Sequence, residues 1–342
     1  MADKRVTLAD VAARAGLSIS AASLVLNDRP GIRISPAARE RVRIAARDLG
    51  YRPNLAARTL LTSRSATIGL ISDSVTTRPW ASALILGALR EAHSRDHILH
   101  IAETGTDIAT AAEALDSFLD RSVDGIIFAA SRARELDLPD RSIPVPFVML
   151  NATSAAGDAC VLPDEFEAGR AIAGVLADAG IRERIVVLGR DIGAPPDWVD
   201  TLTVRRRTAG IAQTVEEHRV QLSAQLPLSV WEPEPGYEAI ANLIDRGERF
   251  DAIIAMNDRL AFGAYQAMLE RGLRVGHDVS VVSFDDDEFA QFVRPGLTTA
   301  ALPYETMGGL AAQLILTNAT QPQEHLIPMP VMHRGSVRGL PT

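Results

Sequence analysis

Val6-Thr7-Leu8-Ala9-Asp10-Val11-Ala12-Ala13-Arg14-Ala15-Gly16-Leu17-Ser18-Ile19-Ser20-Ala21-Ala22-Ser23-Leu24-Val25-Leu26-Asn27 reads as helix, tight turn, helix. Thr7 is placed to cap the first helix, with Asp10 three residues on as in a capping box. Val11, Ala12 and Ala15 give that helix one small apolar face. Gly16 supplies the left-handed backbone of a sharp turn, and Ser18 caps the second helix. Ala22, Val25 and Leu26 are expected to point inward, and Ile19, Ser20, Ser23 and Leu24 outward. A second helix held across a first in this way has the geometry that enters a DNA major groove. An ordinary helical hairpin would carry the same pattern, so the rest of the chain has to decide.

Charge bears on that choice. The net charge of −8 hides an asymmetry: residues 1–65 hold 12 Lys+Arg against 5 Asp+Glu (+7), and the remainder 23 against 38 (−15). A basic head on an acidic body implies a polyanion partner for the head alone, bound in a salt-dependent way. At 342 residues with 47% hydrophobic content, the chain is long and apolar enough for two or three domains with real cores. It shows no uninterrupted apolar run of membrane-spanning length and no apolar signal segment after Met1. A single cysteine, Cys160, cannot form an internal disulfide, which fits a reducing cytoplasm.

Working outward, Ser35-Pro36 opens a third helix that Gly50 ends, and Val42, Ala45, Ala46 and Leu49 close a small three-helix core. Residues 55–61 could form a short helix capped by Asn54, too short to be stable alone in water. From residue 66 apolar strands alternate with helices: strands at 66–71, 98–102, 124–128, 146–150, 185–188, 252–255 and 280–284, helices at 81–94, 108–121, 165–179, 204–217, 236–246 and 259–271. That alternation means parallel sheets covered on both faces, and there are too many cycles for one sheet. Ligands in such folds sit beyond the carboxyl ends of the strands.

The first 65 positions resemble the DNA-binding head and hinge of the lactose-repressor (LacI/GalR) family of bacterial transcription regulators. The resemblance rests on Val6-Thr7-Leu8 with Asp10-Val11-Ala12, Ala15-Gly16-Leu17-Ser18, the segment from Ser23 to Asn27, Leu49-Gly50-Tyr51, and Pro53-Asn54 followed by Ala56 and Leu60. It continues through Met256-Asn257-Asp258, Phe284-Asp285-Asp286, Pro295-Gly296-Leu297-Thr298-Thr299 and His333-Arg334-Gly335-Ser336, the last standing at the family's closing strand. It implies a three-helix helix-turn-helix head (1–51), a hinge helix and linker (52–65), and an effector-binding body (66–342) like a periplasmic sugar-binding protein. Two doubly wound parallel α/β subdomains are expected in that body, at about 66–151 with 303–319 and about 153–300 with 324–340.

The resemblance also implies site residues. Ile19, Ser20, Ala21 and Leu24 would face bases; Thr7, Ser18, Ser23 and Asn27 would hold phosphates or position the helix. Leu24 stands where the family usually has an arginine, so bidentate guanine contact is lost and base preference should shift. Asn54 and Ala57 would contact DNA from the hinge, and Leu60 matches a leucine that wedges into the minor groove. Trp80, Asn151, Arg207, Trp231, Asn257 and Asp285 would line an effector cleft. Two departures stand out: Ala83 in place of an acid, and Glu165 in place of an asparagine. The implied partners are near-palindromic double-stranded operator DNA, a small effector (a sugar by preference) and a second copy of the chain. Trp231-Glu232-Pro233-Glu234-Pro235-Gly236-Tyr237 resembles the purine-binding branch, so a co-repressed regulator answering to a nucleobase or nucleoside stays an alternative. A dimer is preferred to a tetramer because Pro341-Thr342 follows without leucine heptads.

No cofactor, metal or catalytic residue is implied. There is no Gly-x-Ser-x-Gly elbow, Walker loop or dinucleotide fingerprint, and the seven histidines show no pairing at metal spacing. Asp285-Asp286-Asp287-Glu288 reads as a solvated loop or, less favoured, a hard-cation site. A non-regulatory cytoplasmic solute-binding protein is the remaining alternative.

Overall fold

The computed structural model describes residues 6–26, 34–51, 64–78, 81–138, 142–193 and 201–339. Asn27, Asn54, Ala57, Leu60 and Trp80, with the expected hinge helix at 55–61, lie outside the described residues. The chain divides into two compact units, Met1–Ser65 and Ala66–Thr342.

In the head, α1 (Leu8–Ala15) starts at the expected capping box. The Asp10 amide donates to Thr7 Oγ1 (3.3 Å), and the Thr7 amide donates back to Asp10 Oδ2 (2.8 Å). Gly16 sits at φ 68°, and its neighbour Leu17 donates to Ala12 O (3.0 Å), closing the helix. The chain turns through 103° into α2 (Ile19–Leu26). α3 (Pro36–Asp48) begins at Ser35, whose Oγ accepts from the Ala38 amide (3.3 Å). Its Arg41 reaches back to cap α1, donating to Ala15 O (3.2 Å). Val11, Ala12, Ala15, Ala22, Val25, Val42, Ala45 and Ala46 form the core. Alanines dominate it, so the three helices can approach closely around a small apolar volume.

The body holds two six-stranded sheets. The first contains β1 (Thr67–Ser72), β2 (Ile98–Glu103), β3 (Gly125–Glu135), β4 (Phe147–Thr153), β5 (Cys160–Pro163) and β11 (Glu324–Ile327). Its order is β11-β5-β4-β3-β1-β2, parallel throughout. The second contains β6 (Ile185–Gly189), β7 (Leu222–Pro227), β8 (Ala252–Ala255), β9 (Ser280–Asp285), β10 (Thr298–Ala301) and β12 (Val331–Met332). Its order is β12-β10-β9-β8-β6-β7, with only β12 antiparallel to its neighbour. Both sheets are doubly wound and reverse direction beside their first strand, where ligand crevices open. The central strands β1, β6 and β8 are buried along their whole length, which is why they read as unbroken apolar runs.

Seven helices complete the body among the described residues: α4 (Ser82–Ser94), α5 (Ile108–Asp120), α6 (Glu165–Asp178), α7 (Leu202–Glu217), α8 (Pro233–Asp245), α9 (Asp258–Glu270) and α10 (Tyr304–Leu316). None of the described helices is long and apolar enough to cross a membrane.

Two details depart from the sequence reading. Cys160–Pro163 pairs with β4, and Glu324–Ile327 pairs with Cys160–Pro163 at the edge of the first sheet, although the expected boundaries put both in the second subdomain. The apolar Cys160–Pro163 run is fully buried and finds its ladder partner before the chain crosses, with the Asp164 amide still bonded to Ile327 O (2.8 Å). The closing strand is Val331–Met332, and His333-Arg334-Gly335-Ser336 lies beyond it. There the Ser336 hydroxyl donates to Val281 O (2.6 Å) and accepts from the Thr298 amide (2.8 Å), tying β9 to β10.

Candidate functional site

α2 is two-sided. Ala22 and Val25 are buried in the head core and Leu26 packs against it. Ile19 is 55% exposed, an apolar side chain held in water at the start of the helix. Ser20 is exposed beside it, and Ala21, Ser23 and Leu24 are half-buried. Ser18 is exposed and spends its Oγ on the Ala21 amide (3.1 Å). The Thr7 hydroxyl donates to Asp10 Oδ2 (2.7 Å). Both hydroxyls therefore fix helix starts, and the helix they orient presents Ile19 and Ser20.

In the body the site is built where the chain passes between sheets. The first passage leaves β5 at Pro163 and starts α6 at Glu165, with Asp164 as cap. The second leaves β10 and starts α10 at Tyr304. α6 and α7 cross with glycine at the contact: a Cβ on Gly210 would sit 2.0 Å from Phe166 O, and one on Gly169 2.2 Å from Arg207 O. That closeness delivers Arg207 to Glu165. The guanidinium, 5% exposed, donates Nε–H to Glu165 Oε2 (2.6 Å) and Nη2–H to Glu165 Oε1 (2.7 Å). Nη2 also reaches Asp285 Oδ1 (3.4 Å), Nη1 donates to Met256 O, and the ring of Phe284 lies 4.3 Å beneath the guanidinium carbon.

The electrostatics follow from burial. Desolvation works against the Arg207 charge, but Glu165 and Asp285 outweigh it and its pKa rises. Burial pushes Asp285 up to about 6; Arg207 opposes that, and Glu165 and Asp287 add to it. Burial likewise raises the Tyr304 phenol, with Asp285 and Glu165 reinforcing. Asp258 is fully buried and raised well above the carboxylate range by desolvation and by Asp285, against hydrogen bonds from Thr299 Oγ1 (2.7 Å) and the Asp287 amide (2.8 Å). The acidic run diverges: Asp285 turns to Arg207, Asp286 to Arg334 (2.7 Å), and Asp287 uses its amide on Asp258. Asn151 at φ 51° inside β4 and Asp285 at φ 109° at the end of β9 hold left-handed backbone that side chains other than glycine rarely adopt.

Of the expected cleft residues, Arg207 and Asp285 touch directly, and the Tyr304 phenol feels the charges of both. Asn151 is buried, with Nδ2 on Ala130 O (2.9 Å). Trp231 and Asn257 form a second pair, Asn257 Nδ2 donating to Trp231 O (3.2 Å). Their polar groups serve the backbone: the Trp231 indole donates to Gly189 O and Leu228 O (3.1 Å each), and Asn257 Oδ1 caps α9 at Leu260 (2.9 Å). Tyr304 and Asp73 are additions. Asp73, after β1, binds the Ser131 amide (2.8 Å) and Arg134 (3.1 Å). The signal for both was position: each follows the end of a strand. A groove of about 600 Å³ lies away from this cluster, beside α9, and is lined by Phe262, Leu269, Phe289 and Phe292.

Residues 7–54 match the family model of bacterial regulatory proteins, lacI family, and residues 173–337 match that of a periplasmic binding protein-like domain. The ribose operon repressor of Escherichia coli (strain K12) is 29% identical over 339 residues, covering 96% of this chain and 99% of its own. The HTH-type transcriptional repressor PurR of Erwinia tasmaniensis is 29% identical over 328 residues, covering 93% and 92%. Among solved structures, a Lac repressor dimer bound to operator and an anti-inducer superposes with a TM-score of 0.78 at 23% identity, over 98% of this chain and all of that one. With the head and the body each matched in its place along one polypeptide, the chain joins a head of the bacterial regulatory protein lacI family to a periplasmic binding protein-like body.

Proposed function

We propose that the protein is a sequence-specific DNA-binding transcriptional repressor that acts in the cytoplasm as a homodimer on near-palindromic operator DNA. A small effector held among Asn151, Arg207, Asp285 and Tyr304 sets its operator affinity. It acts by binding, not by catalysis. The observation that carries this reading is the head: α2 crosses α1 at 103° and offers Ile19 and Ser20 to solvent. Both relatives named above are repressors, in agreement. Ile19 and Leu24 can give a base edge only apolar contact, so thymine methyls are the natural targets and guanine selectivity is weak.

A sugar is the effector class favoured, in line with the relative named for a ribose operon. A nucleobase or nucleoside is the second reading, supported by the similarity to PurR. Salt-sensitive binding to palindromic duplexes selected from a random pool, lost on deleting residues 1–64, is the expected result. Salt-insensitive or absent binding would remove the reading. Leu60→Ala is expected to weaken operator binding and reduce DNA bending while effector binding persists.

A further inference from the structure

We propose that Glu165 and Asp285 close the Arg207 guanidinium against anions, so that the effector pocket admits only ligands without negative charge. The inference rests on the effector-site reading above and adds the ligand's charge class to it.

A guanidinium has five N–H donors, and it binds carboxylate or phosphate by offering two of them side by side. Here four are spent inside the protein: two on Glu165, one on Asp285, one on Met256 O. One Nη1 proton remains, which permits a single hydrogen bond and no fork. Glu165 cannot swing aside readily, because it is 2% exposed and α6 is locked to α7 at Gly169 and Gly210. Among the described residues, Arg206 beside it in the chain is paired with Glu324 (2.7 Å), and other arginines of the body are paired as well. Arg334 is held by Asp286 (2.7 Å), Arg259 by Glu232 (2.6 Å), and Arg134 by Asp73 (3.1 Å). Arg190, buried after β6, is also engaged. Glu165 and Asp285 already set two carboxylates against the one guanidinium of Arg207. An incoming phosphate would have to displace a buried carboxylate from a bidentate bond while entering a field of its own sign.

The group left to meet a ligand is Asp285. It is 26% exposed, and Arg207 takes only its Oδ1. A carboxylate oxygen in that position accepts hydrogen bonds from hydroxyl, ring N–H or ammonium donors. Uncharged sugars and nucleosides satisfy it; sugar phosphates and nucleotides bring the same donors together with a charge for which Arg207 has no free pair of N–H groups.

The test uses the full chain and inorganic phosphate as probe, at constant ionic strength set with chloride, and follows the melting of the body. The wild type is expected to show no saturable stabilisation. Glu165→Gln weakens the hold on the Nε/Nη2 edge and is expected to gain saturable phosphate stabilisation of about 2–3 °C at tenfold over the dissociation constant. The Glu165→Gln/Arg207→Met double variant should lose that gain, which also separates it from anion binding by the basic head. Asp285→Asn keeps the Glu165 pair and serves if Glu165→Gln does not fold; it should gain a weaker phosphate response. Saturable phosphate binding by the wild type, absent from the double variant, overturns the proposal, as does a folded Asp285→Asn or Glu165→Gln variant that gains nothing. Failure to bind any operator would instead break the regulator reading and leave these melting results standing.

Discussion

In the head, the bonds that start the helices are local: Thr7 with Asp10, Ser18 with Ala21, Ser35 with Ala38, each three residues apart. In the body, the bonds that build the site span 42, 49 and 78 residues. The head spends its side chains on shaping backbone and leaves its reading surface to simple exposed groups. The body buries charge and must pair it across elements that meet only once the whole unit has folded. A local device fails locally and cheaply; a buried ion cluster fails as a unit.

The steepest loss is therefore expected at the cluster. Glu165→Ala leaves Arg207 buried with half its partners gone, and should destabilise the body by about 3–5 kcal/mol. Chemical denaturation of the body transition measures this, and a loss under 1 kcal/mol would mean that the pair is not buried in solution. Next is the helix crossing behind it. Gly210→Ala puts a methyl group 2.0 Å from Phe166 O and should cost about 3 kcal/mol while driving α6 from α7, so the melting temperature and effector affinity fall together.

A smaller effect is tied to pH. Asp285 is raised to about 6 when folded and titrates near 3.8 when unfolded. The folded state then holds the proton more tightly, so this group's stabilisation is present below about pH 4 and is lost as pH rises through about 6. The expected swing is no more than about 2 kcal/mol, since solvent reaches a quarter of the side chain. Comparing wild-type and Asp285→Asn stability at pH 4, 5, 6 and 7 should show the wild type declining relative to the variant; parallel curves would contradict the assignment. The smallest effect belongs to the head. Thr7→Ala removes one cap and should cost about 1 kcal/mol in the head transition, leaving the body unchanged.

The same contrast explains what could be read from the chain alone. Caps, the Gly16 turn and the alanine-rich core positions of the head are written within a few residues, and they appear in the structure where the pattern puts them. The buried central strands announce themselves as apolar runs. The short strands β10 and β11 carry no such signature, because their four residues become a strand only when a neighbour supplies the ladder. At the site, Arg207 and Asp285 could be named from motif register. Glu165 showed only as a departure at its position: nothing within 40 residues of it reveals the arginine it faces. Trp231 and Asn257 were named for ligand contact, yet their polar groups hold loops and cap a helix, roles that become visible only when the carbonyls they meet are in place.

In the proposed function, the buried Arg207 cluster and the exposed face of α2 serve one regulatory purpose. The most direct measurement is operator affinity, by fluorescence anisotropy on a selected palindrome, with and without an uncharged compound that stabilises the body. Wild type should change affinity by roughly 5- to 150-fold, the usual range of coupling between two sites. The Arg207→Met/Glu165→Gln variant should bind the same duplex and ignore the compound. Operator affinity that stays constant while the compound is demonstrably bound to the wild type would contradict the account.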